Sequence, residues 1–129
     1  MGDLSENFSR EEFACGCGCG RGFNDGDISV DLILHLEAMR SKTGRAIFIT
    51  SGCRCPAYNL QVGGVPNSIH EHLPLEGSDI RVYPGAHEHA IHQAAHEEGV
   101  RGIGMKDNVF AHVDWHDGSI LARPAIWSY

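Results

Sequence analysis

The chain has no surplus of positive charge: 10 Lys and Arg stand against 17 Asp and Glu, a formal net charge of −7 over 129 residues. That balance argues against nucleic acid or an anionic membrane as the main partner. No uninterrupted apolar run approaches the length of a membrane span. The opening Met1-Gly2-Asp3-Leu4-Ser5-Glu6 is too polar for a signal peptide, so synthesis in the cytoplasm is expected. Also missing is the C-x2-C spacing of common zinc knuckles: the five cysteines fall as Cys15/Cys17/Cys19 and Cys53/Cys55. Their odd number argues against a closed set of disulfides. Two readings stay open, a Gly-rich surface loop with free thiols, or a cross-link or metal tying the two clusters. What the chain does have is histidine, nine of them, which favours a bound metal without locating it.

Length alone allows one domain, 1–129, with a modest core and no need of disulfide staples. Within 5–14, Ser9 precedes Glu12 by three residues, a capping box that predicts a short helix with Phe8 and Phe13 turned inward. Cys15 to Gly22 is too rich in glycine for regular structure, so 1–27 reads as a short helix and a Cys/Gly loop. Residues 28–42 form the clearest helix, with Asp27 as N-cap, Gly44 as C-terminal stop, and Val30, Ile33, Leu34 and Met39 on the packed face. His35 reads as a polar-face histidine. The apolar run 46–50 is expected to be a central strand, and Pro56 to Leu60 one helical turn. A helix over 85–98 carries His89, His92 and His96 on one side; with no H-E-x-x-H pattern there, a solvated face is expected. Segments 102–105, 109–115 and 119–121 read as strands joined by turns. The order predicts an α+β fold, a mainly antiparallel central sheet flanked by helices.

The run 46–50 delivers Ser51, Gly52 and Arg54 to a turn, and Gly63-Gly64 then leads to Ser68, His70, His72 and Asp79. A histidine and an aspartate on two extended segments joined by a tight loop can face each other across a hairpin. Both ligate zinc, and a third ligand from elsewhere leaves a coordination position for water. His112, in the late apolar run Val109 to Trp115, is the candidate third.

These segments resemble the zinc D-Ala-D-Ala carboxypeptidase and L,D-endopeptidase family, which includes phage endolysins and the Hedgehog signalling domain. The family pattern is S-G-x-R, a Gly-Gly loop, S-x-H-x-x-G-x-A-x-D and a late H-x-D or H-x-H. Here it reads Ser51-Gly52-Cys53-Arg54, Gly63-Gly64, Ser68-Ile69-His70 through Asp79, and His112-Val113-Asp114. The resemblance implies a Hedgehog-like peptidase fold and Zn2+ held by His70, Asp79 and His112, with Arg54 stabilising an oxyanion and Ser68 contacting substrate. It also implies hydrolysis of peptide bonds in bacterial peptidoglycan stem peptides, by a monomer acting at the cell wall as a phage or prophage product. Neither nucleic acid nor membrane is an expected partner.

The sequence departs from the pattern in three places. Eight residues separate His70 from Asp79 where the family has six, whereas His72 has six. Counting from Gly63-Gly64 and Ser68 favours His70, because a loop absorbs two extra residues more easily than a ligand-bearing strand does. Gly77 stands at the usual alanine, and Leu75 near the usual glycine. No acid precedes His112 by two or three residues. Asp114 is therefore the candidate general base, with an orienting role as its alternative and Glu71 and His116 in reserve. Trp115 alternates to the opposite strand face. The rival function is a non-catalytic zinc-containing binding or virion structural module of the same fold, distinguished by the absence of a base within one water of the metal.

Overall fold

The computed structural model describes residues 2–129; Met1, which begins the stretch judged too polar for a signal peptide, lies outside them. In chain order the elements are α1 (Arg10–Phe13), α2 (Val30–Thr43), β1 (Ile49–Ser51), α3 (Pro56–Gln61), a 3-10 turn (Ile69–Glu71), β2 (Gly77–Arg81), α4 (Ala86–Glu97), β3 (Gly102–Lys106), β4 (Phe110–Asp114) and β5 (Ala125–Ser128). The five strands form one sheet in the order β1-β2-β4-β3-β5. All pairings are antiparallel except β3 with β5. The α+β expectation is met. Among the described residues no helix is long and apolar enough to cross a membrane.

Strand alternation divides the sheet into two functional faces. Ile80, Val82, Ile103, Ala111 and Val113 are buried against the helical side, together with Leu32, Leu36, Met39, Ile91, Ala94 and Ala95. The other face carries Gly77, Asp79, Gly102, Gly104, His112, Asp114 and Trp127, brought into line by the pairings Asp79↔His112↔Gly104↔Trp127 and Gly77↔Asp114↔Gly102. One face therefore builds the core, and the other is free to carry chemistry.

Several elements differ from their sequence expectation for identifiable reasons. β1 is an edge strand, not a central one, and Phe48 just before it is exposed. Helix α2 is capped by Ser29, whose hydroxyl accepts the Leu32 N–H, and ends at Gly44 in the left-handed region. Asp27 instead folds the preceding loop by accepting the N–H groups of Gly22 and Asn24. The buried stripe of α2 is Leu32, Ile33, Leu36 and Met39; Val30 and Leu34 face solvent, at 73% and 62% exposure. Residues 119–121 form bends, not a strand. There the His116 ring accepts the Ile120 N–H and Asp117 accepts that of Ser119, so side chains take the place of a ladder. The last strand is β5, closer to the C-terminus.

The N-terminal segment is tied down early. Ser9 and Glu12 form the expected capping box, and Phe8 and Phe13 are fully buried. Glu37 of α2 accepts hydrogen bonds from Ser5 Oγ at 2.6 Å and from Asn7 N and Nδ2 at 2.9 and 2.7 Å. Phe13 O accepts from Cys53 N at 2.7 Å, which brings α1 beside the end of β1. A Cβ at Gly52 would lie 2.6 Å from the Phe13 backbone, so this approach requires glycine.

Candidate metal centre

Asp79 and His112 are paired directly across β2 and β4, so their side chains leave the sheet on the same face. His70 reaches them from the 3-10 turn, not from a strand of a hairpin. Ser68 Oγ caps that turn by accepting His70 N–H, and Glu71 reaches back to the Ser68 N–H. His70 O in turn accepts Arg54 N–H at 2.7 Å, fastening the turn to the chain leaving β1. Residues 72–76 lead from the turn to β2, and there Leu75 is fully buried and its backbone bonds to Asp27 and Ser29. His70, not His72, thus stands with Asp79 and His112.

His70, Asp79 and His112 are each buried, and one potential ligand atom from each lies within 4.8 Å of the others. His70 Nε2 is 3.2 Å and His112 Nδ1 3.1 Å from Asp79 Oδ1. Their other ring nitrogens fix the tautomers. His70 Nδ1 lies 2.6 Å from Gly52 O, and His112 Nε2 lies 2.7 Å from Asp114 Oδ2. Both partners only accept, so those nitrogens carry the protons. With both rings neutral, two imidazole lone pairs and a carboxylate oxygen point at one another. Such a cluster needs a cation at its centre, and two imidazoles with one carboxylate suit Zn2+.

Charge effects agree with this. Burial would raise the Asp79 carboxyl, but hydrogen bonds from His112 and His70 outweigh it and hold the group well below the usual carboxylate range. Burial opposes protonation of His112, yet Asp114 and Asp79 push its pKa up. A positive charge is favoured at this point, whether a proton or a metal supplies it.

Arg54 lies beside the cluster. Its Nη2 donates to Asp79 Oδ2 at 3.3 Å, Nε to Ser51 Oγ at 3.0 Å and Nη1 to Asn59 Oδ1 at 3.1 Å. A side chain at Gly64 would collide with Asn59 and crowd Arg54, which accounts for the second glycine of the Gly-Gly loop. Asp114 lies behind His112 and is fully buried. Besides His112 Nε2, it receives Arg123 Nε at 2.9 Å and Nη2 at 2.8 Å. Burial would raise its carboxyl, but His112 and Arg123 keep it well below the usual range. Gly77 and Gly102 flank it on the neighbouring strands, and a Cβ on either would strike the aspartate. Glycine at 77 therefore makes room for this carboxylate.

The remaining candidates lie elsewhere. His72 Nε2 is 3.4 Å from Asn67 O and outside the three-residue cluster. Glu71 bonds Asn59 Nδ2, and His116 pairs with Glu76. His35 bonds Glu98 and stacks on Trp115 at 4.4 Å. His89, His92 and His96 contribute to no metal-binding group among the described residues.

The cluster forms part of the wall of a cavity of about 730 Å3, whose other walls include Val62 to Val65, Ser68, Lys106, Phe110, Arg123, Trp127 and Tyr129. Among the described lining residues Asp79 is the one acidic side chain. Arg123, Trp127 and Tyr129 escape the sequence reading because nothing local marks them. Their signal is spatial: a buried Asp114 demands a cation, and Gly104 leaves the gap that Trp127 fills, 5.3 Å from the His112 ring.

No curated protein matches the chain. The family model described as Peptidase M15 matches residues 6–114, most of the chain, from the N-terminal segment to the end of β4. That span includes all three metal-site residues, Arg54, Ser68 and Asp114. The chain belongs to the peptidase M15 family.

Proposed function

We propose that the protein is a zinc metallopeptidase that cleaves peptide bonds in the stem peptides of bacterial peptidoglycan, as a D,D- or L,D-type carboxypeptidase or endopeptidase. The observation carrying this reading is the convergence of His70 Nε2, Asp79 Oδ1 and His112 Nδ1 at the wall of a cavity in a peptidase-family chain. When bound there, zinc supplies a Lewis acid that polarises a carbonyl and brings the pKa of a coordinated water toward neutrality.

The protein's own groups do the rest. Asp79 and the two imidazoles would hold the ion, while Gly52 O and Asp114 fix the ring orientations. Asp114 acts as a positioning residue and not as the general base, since its oxygens are occupied by His112 and Arg123. Arg54 remains charged at every relevant pH, and its guanidinium borders both Asp79 and the cavity, suited to an oxyanion developing on a scissile carbonyl. Ser68 Oγ accepts His70 N–H and keeps its own proton to donate to a substrate carbonyl. Lys106 on the wall suits a peptide's terminal carboxylate, and Trp127 offers an apolar surface to its side chains.

Digestion of purified peptidoglycan, with the soluble fragments identified by mass, tests this reading. Cleaved stem peptides are expected from the zinc-loaded protein and are lost in His112→Ala. Intact stems after incubation with fully zinc-loaded protein would overturn it. One observation favours a second reading, a zinc-holding module that binds wall peptides without cutting them: among the described lining residues, no acidic side chain besides Asp79 is there to serve as base. Cosedimentation with peptidoglycan in the absence of fragments would identify that case.

A further inference from the structure

We infer that Cys15, Cys17, Cys19 and Cys55 form a second metal site, a four-thiolate zinc centre separate from the His70–Asp79–His112 cluster. The four Sγ atoms all lie within 4.8 Å of one another. Cys15 and Cys17 are 3.4 Å apart, and Cys17 and Cys55 3.7 Å. A tetrahedron with Zn–S bonds of about 2.3 Å has S–S edges of about 3.8 Å, close to these values. The sulfurs converge on a common point instead of separating into two bonded pairs. Cys53 explains the odd count: it is 2% exposed, belongs to the hydrophobic core and takes no part in the cluster.

The backbone is arranged for thiolates. Cys55 N–H points at Cys15 Sγ and Tyr58 N–H at Cys55 Sγ, both at 3.4 Å, and such donors favour the charged sulfur. Alternate glycines let the loop turn three cysteines toward one another: Gly18 and Gly20 have φ of +80° and +93°, and a Cβ at Gly16 would strike the Tyr58 ring. The loop closes through Cys15 N–H to Arg21 O at 2.9 Å and Gly18 N–H to Cys15 O at 3.1 Å. A glycine-rich stretch loses much conformational entropy on ordering, and Cys17 and Cys19 are exposed, so apolar burial does not offset that loss. Four metal–sulfur bonds do. As each bond forms, a thiol releases its proton to solvent. The site fastens 15–21 to Cys55, the neighbour of Arg54, and so braces the segment that delivers Arg54 to the cavity.

The test uses the full-length protein, purified under reducing conditions with zinc and without chelator, and compares wild type, His112→Ala and the Cys17→Ser/Cys19→Ser double variant. Elemental analysis is expected to give two zinc ions per chain in wild type and one in each variant. After replacement by Co2+, the intense thiolate-to-cobalt absorption is expected in wild type and His112→Ala but not in the double variant. One zinc in wild type and none in His112→Ala would overturn the site. So would a wild-type mass lowered by the hydrogens of two disulfides. Because the cobalt spectrum of His112→Ala reads the cysteine site alone, the result stands even if the double variant fails to fold, and it is independent of the peptidase reading.

Discussion

A carboxylate that receives two nitrogens of Arg123 and one of His112 has little capacity left to take a proton from water. What it can do is hold an imidazole in the tautomer a metal needs. Asp114→Asn should therefore weaken zinc affinity by about 10–100-fold, the usual cost of losing such a partner, as measured by competition with a chromogenic chelator; unchanged affinity would rule out the orienting role. His70 and His72 separate in the same measurement. His70→Ala should abolish zinc retention at the His/Asp site, because it removes one of three buried ligand atoms. His72→Ala should leave it intact, since the His72 ring lies by the Asn67 carbonyl, outside the three-residue cluster. The reverse pattern would exchange the two assignments.

At the level of elements, α2 does more than cover the sheet. Through Glu37 it holds Ser5 and Asn7, the residues that bring α1 and the loop after it into place. Glu37→Ala should cost about 2 kcal/mol in a denaturant titration, typical of hydrogen bonds to a charged acceptor. The same contact is pH-dependent. Burial would raise the Glu37 carboxyl, but Ser5 and Asn7 outweigh it and the pKa lies below the ordinary glutamate value. A depressed carboxylate stabilises the fold above its unfolded pKa, and that contribution is lost as pH falls through the folded one. Wild type should accordingly lose its stability margin over Glu37→Gln as the solution is acidified through the range below the ordinary glutamate pKa. A margin that stays constant down to strongly acidic pH would show that Glu37 contributes no charge-dependent contact. Strand pairing sets the other constraint at this scale. Gly102→Val places a branched side chain against Asp114 and Arg123 and should lower zinc affinity and stability together, by about 2 kcal/mol or more as an overpacked site does. Binding and melting curves matching wild type would contradict that geometry.

For the molecule as a whole, any metal bound by the native state alone adds to its stability: at a free zinc concentration a hundred times Kd the gain is about 2.7 kcal/mol, roughly 10 °C in melting temperature for a domain of this size. Chelation should produce a fall of that order, and a melting curve insensitive to chelator would speak against metal at either site. How much of this was legible beforehand follows from the range of the forces involved. Capping boxes, the Gly44 stop and the apolar run of β4 are local, so α1, most of α2, α4, β3 and β4 could be read from the chain, and ordered motifs pointed to His70, Asp79 and His112. Two sets of features could not be read there. The buried face of α2, the edge position of β1 and the parallel pairing of β5 depend on which surfaces the sheet leaves to be covered. The Asp114–Arg123 pair and the convergence of Cys55 on Cys15 exist only once distant segments meet. Residue type and spacing determine which side chains are able to bind metal. Tertiary packing decides which of them share a point in space, because a buried charge or lone pair is tolerated only where its complement has been delivered by another part of the chain.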